Sequence, residues 1–386
     1  MRKILATMVP LALLFGLLVP TVQAEELVSS GEAAVLLEVT TGRVLYEKNR
    51  DMPLKPASMT KMMSMYLVLE AIHNGQLEWE QVITVSEHAA GLGGTQIYLE
   101  TGEQMTVRDL FLSVALPSAN DAITALAEAV SGSEADFVAL MTARAEAFGM
   151  TNTVFKNPTG LPEEGHLTTA YDMALLGRQL VTSFPEVTEF TSLYEAYVRE
   201  EDDEPFWLVN TNKLIRYVEG VDGLKTGYTS ESGHCLTATA ERHGMRVVAV
   251  VMAAESSSHR NREVARLVDY AFSQYELHPQ IEAGAVVGVH ENIRAEGRRF
   301  NLVTTEPISL LVEVGSAVGE TSQEILLNSE LSVPIAVGDV IGHLIYYVDG
   351  VVYQEVALTV EQEIARASFV SLWTATLGQL IFGHHS

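Results

Sequence analysis

The spacing of apolar positions changes character several times along the chain, and each change marks a structural element. Residues 33–48, AAVLLEVTTGRVLYEK, form two β-rich runs broken at Thr41-Gly42, where glycine accepts the turn backbone, so a hairpin is predicted. From about Ser58 the period becomes helical, because Met62, Met65, Tyr66, Leu69 and Ile72 recur at spacings of three and four. Pro56 lies just before that start, where its fixed φ does no harm. Residues 80–190 read as helices separated by Gly, Ser and Asn turns, among them 107–116, 120–130, 134–148 and 170–180, and suggest a helical lobe inserted into the chain. Strand patterns return at 234–240 and 246–254 around a His243-Gly244 turn, and 260–275 is again helical. The first and last thirds of this region therefore supply the sheet.

Beyond Glu276 the pattern shifts to short alternating or β-branched runs at 285–289, 308–314, 340–347 and 351–360, which predicts a separate small β domain over 277–362. In the tail, 363–386, Ile364, Val370, Trp373, Leu377 and Ile381 fall near one helical face. Two readings stand for that amphipathic helix: it lies in a membrane interface, or it packs on the β domain. Glu363 and Arg366 are its only charges, so attraction to anionic lipid is weak.

The N-terminus changes the picture of compartment. Arg2 and Lys3 precede an apolar run from Ile4 to Val19, and Val22-Gln23-Ala24 offers small residues for cleavage, so residues 1–24 read as a secretory signal peptide. The alternative, an uncleaved anchor, is disfavoured by Pro10 and by a run short for a span. The mature protein, 25 onward, is then exported, with residues 25–276 as its main domain. The formal charge of the chain is -26, and removing Arg2 and Lys3 with the leader leaves -26 - 2 = -28. Such a surface repels phosphate backbones and excludes nucleic acid as a partner. At 386 residues, 47% hydrophobic and 19% charged, the chain supports more than one core. The single cysteine, Cys235, has no partner for an intramolecular disulfide and reads as a buried free thiol.

Three short motifs carry chemistry. Ser58-Met59-Thr60-Lys61 sets a hydroxyl and an amine three residues apart at a helix start, hence on one face and within one turn. A serine attacks a carbonyl only when something accepts its proton, and a lysine does so only when neutral, a state favoured by burial and by a second cation. The helix start also offers the Ser58 N–H to an oxyanion. By itself Ser-x-x-Lys is common and usually means a cap beside a solvated side chain. Ser118-Ala119-Asn120 after Pro117, and Lys225-Thr226-Gly227 entering an apolar strand, change that balance.

The ordered trio resembles the β-lactamase and penicillin-binding superfamily. Within it the chain is most similar to the D-alanyl-D-alanine carboxypeptidases, through PASMTKMM at 56–63, LPSANDA at 116–122, FKNPTGLPEEGHLTTAYDMA at 155–174 and VDGLKTGYTSESGHCL at 221–236. The resemblance implies an α+β fold. It would comprise a β-lactamase/transpeptidase-like catalytic domain, with an antiparallel sheet flanked by helices and an inserted helical lobe, then the small all-β domain and the terminal amphipathic helix. It further implies that Ser58 is the nucleophile and Lys61 its base, that Ser118 relays the proton to the leaving D-alanine, and that Asn120 orients Lys61 and substrate. Lys225 and Thr226 would hold the terminal carboxylate, Lys225 would keep Lys61 neutral, and Gly227 would let the strand approach the substrate. The N–H groups of Ser58 and Tyr228 would form the oxyanion hole. Partners so implied are peptidoglycan stem peptides ending in D-Ala-D-Ala and β-lactams as covalent inhibitors, at the outer face of the cytoplasmic membrane, with no cofactor.

Three positions depart from familiar relatives: Ala119 where many carry glycine, Thr211 where some place an arginine, and Tyr228 where others have histidine. These bear on substrate preference rather than on mechanism. A β-lactamase and a non-catalytic wall-binding protein on the same fold remain as alternatives. His166 reads as a loop or capping residue. His234 and Cys235, as strand neighbours, point to opposite faces, and His384-His385 lacks the spaced partners of a metal site, so no metal is expected.

Overall fold

The computed structural model describes residues 27–200, 204–329 and 331–368, with Trp373. The leader and most of the tail, on which the signal-peptide and amphipathic-helix expectations rest, lie outside the described residues.

A five-stranded antiparallel sheet runs in the order Val44–Lys48, Ala33–Glu38, Met245–Ala254, Gly233–Arg242, Val221–Thr229. The unbroken apolar run at its centre is explained by burial on both faces. Ala33, Val35 and Leu37, with Val248, Val250 and Met252, face the large core shared with the helical lobe. Ala34 and Leu36, with Val247, Ala249 and Val251, face the helix Ser257–Gln274 through Val264, Leu267, Val268 and Ala271. Period-two alternation therefore separates two apolar cores rather than core from water.

The lobe contains the helices Lys61–His73, Val107–Ala115, Asn120–Ser131 and Glu134–Ala147, and Ala170–Ser183 lies against the sheet. Starts are set by side chains that accept a backbone N–H: Thr106 from Asp109, Ser133 from Asp136, Thr169 from Asp172 and Ser256 from His259. Lys61–His73 is helical, as the spacing of its apolar residues predicts. Ten of its thirteen residues are buried, from Lys61 through Leu69 and at Ala71, so it is apolar almost all round and threads the middle of the domain. Its α-helical turns begin at Lys61, while Ser58 sits in a preceding 3₁₀ turn, Ala57–Thr60.

The C-terminal β domain is a five-stranded antiparallel sheet ordered Val286–Glu291, Arg299–Thr304, Val351–Val360, Gly342–Val348, Thr321–Leu327, with Tyr275–Ile281 paired to Ile308–Glu313 beside it. Sequence reading missed Arg299–Thr304 and Thr321–Leu327, whose polar faces break the apolar pattern. One expectation is corrected at its boundary: the helix drawn from 363 does not start there. Ile364 bridges Ile335, Arg366 bridges Ala295, and Ile364 is buried in the β-domain core, so this stretch is extended. Its first apolar position belongs to a strand-like edge because the core offers it a backbone partner as well as a pocket. Among the described residues, no helix is long and apolar enough to cross a membrane.

Candidate active site

The turn that carries Ser58 forms where Pro56 ends the extended entry and Ala57 takes a left-handed φ of 48°. It is wedged between two glycines. A Cβ on Gly160 would stand 1.9 Å from Ala57 O, and one on Gly227 would stand 2.7 Å from Pro56 O and 3.2 Å from Ala57 Cβ. Gly227 lines the cleft, and its missing side chain also leaves room for the Ser58 turn to pack against the strand.

Lys61, one turn after Ser58, brings Nζ to 3.2 Å from Ser58 Oγ, 2.6 Å from Asn120 Oδ1 and 2.7 Å from Thr159 O. All three partners are neutral, and the side chain has no exposure. Burial, then the nearby Lys225 charge, hold the Lys61 amine well below its ordinary pKa, with Asp121 opposing them. A neutral amine beside a serine hydroxyl is a proton acceptor in position.

Asn120 opens its helix, and two carbonyls fix it: Gly93 O accepts from its Nδ2 at 2.7 Å and Thr95 O from its backbone N–H at 2.7 Å. The same segment is tied down by Asp121, buried, whose carboxylate accepts the N–H groups of Ile97 and Leu99. Asp121 was missed from sequence, where a first-turn acid reads simply as a favourable partner of the helix dipole. Ser118, two residues earlier, has φ 77° and a buried Oγ without a hydrogen-bond partner among the described residues. Ser118 lines the cleft, so this hydroxyl is left unpaired at its edge.

The Val221–Thr229 strand forms the opposite wall. Lys225 is 1% exposed, donates to Thr226 O at 3.3 Å, and is pushed down to about 7 by burial and then by Arg260. Its charge is felt by Lys61, and its strand neighbours Thr226, Gly227 and Tyr228 line the cleft. Thr226 Oγ1 donates to Thr211 Oγ1 at 2.7 Å, and Tyr228, 60% exposed, stacks on His234 with ring centroids 4.3 Å apart. The cleft, about 590 Å³, is lined by Ser58, Ser118, Thr211, Thr226, Tyr228 and Arg260, among others.

Arg260 is the second residue that sequence reading missed. It is nearly buried, lowered to about 10 by burial, and bonded to Cys235 O and Asn261 Oδ1, with no carboxylate paired to it among the described residues. A desolvated guanidinium without a counter-ion is an anion receptor. It comes from the helix Ser257–Gln274, with no local motif to announce it.

His166 neither caps a helix nor lines this cleft. Its Nε2 lies 2.9 Å from Thr60 Oγ1, its Nδ1 has no partner among the described residues, and burial lowers it to about 4. Cys235 is buried with its thiol pushed up to about 11, while His234 turns to the cleft, as strand alternation requires. Among the described residues no group of three or more His, Cys, Asp or Glu is arranged to hold a metal ion.

Comparison with known proteins agrees with this geometry. Residues 20–256 match the D-alanyl-D-alanine carboxypeptidase family model, and residues 275–366 match the penicillin-binding protein 5 C-terminal domain. The chain is 43% identical over 356 residues to the D-alanyl-D-alanine carboxypeptidase DacF of Bacillus subtilis, covering 92% of this chain and 91% of the relative. Penicillin-binding protein 5 of Haemophilus influenzae superposes with a TM-score of 0.71 at 29% identity, over 87% of this chain and 98% of that one. Penicillin-binding protein D2 of Listeria monocytogenes, in its ampicillin-bound form, superposes with a TM-score of 0.57 at 35% identity, over 63% of this chain and 97% of that one. The chain thus belongs to the D-alanyl-D-alanine carboxypeptidase family of low-molecular-mass penicillin-binding proteins, serine-type hydrolases that act on the cell wall.

Proposed function

We propose that this enzyme removes the terminal D-alanine of peptidoglycan stem pentapeptides through an acyl-enzyme on Ser58. The observation that carries the reading is the buried Lys61 amine, 3.2 Å from Ser58 Oγ and in contact with neutral partners alone. Ser58 Oγ attacks the carbonyl between the two D-alanines, and Lys61 takes its proton. The developing oxyanion is held by the N–H groups of Ser58 and Tyr228. Ser118 then passes the proton to the leaving amine as the C–N bond breaks, and water later hydrolyses the ester. Asn120, braced by Gly93 and Thr95, keeps Lys61 aimed at Ser58. Lys225 and Thr226 hold the terminal carboxylate, with Thr211 and Arg260 beside them at the cleft. Asn120 also orients the substrate amide.

The segment beside Lys61 disfavours β-lactamase action. Its contact with Lys61 is the Thr159 carbonyl, and the Glu163 carboxylate is engaged by Asn157 Nδ2 at 3.2 Å. A deacylating glutamate would have to stand at Ser58. β-Lactams therefore inhibit by leaving a slowly hydrolysed ester on Ser58. We assign export to residues 1–24, catalysis to 25–276, the accessory β domain to 277–362, and a membrane-surface role to the tail, 363–386, at the outer face of the cytoplasmic membrane. Fractionating cells that express a chain cut before Val370 tests the last assignment, since an unchanged membrane fraction refutes it.

Incubation of wild type and Ser58→Ala with a labelled penicillin and with a peptide ending in D-Ala-D-Ala tests the central claim. Expected are a stable label and free D-alanine, both lost in the variant. Labelling independent of Ser58 would overturn the acyl-enzyme, and rapid loss of the label would favour the β-lactamase.

A further inference from the structure

The hairpin of Glu195–Val198 and Phe206–Val209 leads directly into Asn210 and Thr211 at the cleft. Its register sets Ala196 opposite Leu208 and Val198 opposite Phe206, and these four pack on the lobe core. Alternation turns Glu195, Tyr197, Trp207 and Val209 to the other side. Tyr197 and Trp207 are direct cross-strand partners, and they are 50% and 54% exposed. The indole N–H donates to Glu195 Oε2 at 3.2 Å, which restrains ring rotation. Val209, next in the row, lines the cleft. Same-face neighbours on a strand are about 7 Å apart, so the aromatic pair begins one step from the site of chemistry.

We propose that Tyr197 and Trp207 form a stacking platform for a neutral pyranose ring of the peptidoglycan glycan, holding the polymer while a stem peptide enters the cleft. This rests on the reading of the enzyme as a peptidoglycan peptidase. Two flat rings side by side match the C–H face of a sugar, and each has only two side-chain torsions to immobilise. Glu195 has a second carboxylate oxygen to accept a hydroxyl or acetamido N–H. The same carboxylate, on a chain of charge -26, repels phosphate-bearing polymers and lipid headgroups. Continuity with the cleft through Val209 makes the occupant part of the substrate rather than a separate partner.

The test compares three substrates: a short acylated peptide ending in D-Ala-D-Ala, intact sacculi, and stem peptides cut from sacculi by an amidase. Trp207→Ala and the double variant with Tyr197→Ala are checked for folding by penicillin labelling of Ser58 and by melting temperature. D-alanine release from both peptides should stay within about twofold, while release from sacculi falls about three- to tenfold, the ordinary weight of an aromatic contact. Trp207→Phe should restore it. Cosedimentation with peptide-free glycan strands should fall in parallel. Equal loss on all three substrates would make the pair a support of the cleft, no loss would make it idle, and loss on the freed peptides would make the occupant peptide; each overturns the platform. If wild type releases no D-alanine from the short peptide, the peptidase reading fails, and cosedimentation with glycan still decides the platform.

Discussion

Gly160→Ala should disable the enzyme without touching any residue that reacts. Gly160 has φ 81°, a region that costs an L-residue about 1–2 kcal/mol. The added Cβ would lie 1.9 Å from Ala57 O and 2.4 Å from Ala57 C, so reaching even a tight 3.0 Å requires a shift of 3.0 - 1.9 = 1.1 Å. Both sides of that contact are backbone, and neither can swing away. One side carries Ser58, and the other carries Thr159, whose carbonyl accepts from Lys61 Nζ at 2.7 Å. The shift therefore falls on the distance between Ser58 and Lys61, where about 1 Å would cost on the order of a hundredfold if they react as proposed. The second-order rate of acylation by a fluorescent penicillin should drop by about that factor, with stability reduced by about 2 kcal/mol in urea unfolding. Gly149→Ala is the control: its φ is 72°, but nothing lies within 4 Å of the new Cβ, so it should lose stability alone. Acylation by Gly160→Ala within threefold of wild type, at an unshifted unfolding midpoint, would refute the argument.

Three further outcomes follow from charge. Lys225→Met removes the cation that helps depress Lys61, so the Lys61 pKa rises and the acid limb of the acylation rate moves to higher pH; a limb that stays put or moves down contradicts the pairing. Arg260→Gln should lower kcat/KM about ten- to a hundredfold for peptides with a free terminal carboxylate and much less for their amides, the weight of a lost charge-assisted bond; equal loss on both would remove Arg260 from carboxylate binding. His166 is lowered from its ordinary 6.5 to about 4, so the unfolded chain binds the extra proton first as pH falls. Its contribution to stability is present above pH 6.5 and lost toward pH 4, up to about 3 kcal/mol, and His166→Asn should flatten that part of a pH series of urea melts.

Much of the fold was legible because its signals are local. The Thr41-Gly42 turn, the helix caps and the 3.6-residue period each act within a few residues of chain. Ser58 and Lys61 meet because three residues of helical backbone bring them to one face. What period cannot report is which faces meet. The helix Lys61–His73 shows its period through Met62, Met65, Tyr66 and Leu69, but not that it is buried almost all round, with lobe and sheet closing over it. Ile364 looked like the first position of a helix and is an extended core residue. Gly227, expected to leave room at the cleft, also makes room for Ala57, a contact that no local pattern announces.

Residue order alone makes the reacting groups available: a serine and a lysine on one turn, a serine and asparagine before a helix, a lysine and threonine on a strand. It also determined the local geometry within each motif, since that depends on backbone torsions of adjacent residues. The tertiary structure alone decided what those groups are. The Lys61 amine is held toward its neutral form rather than left a solvated cation because burial and Lys225 make its charge costly, and burial is a property of everything packed around it. Asp121 acts on Asn120 through a segment more than twenty residues away in sequence, and Arg260 enters the cleft from a helix on the other face of the sheet. Such long-range contacts leave no local periodicity, so no window of sequence contains them.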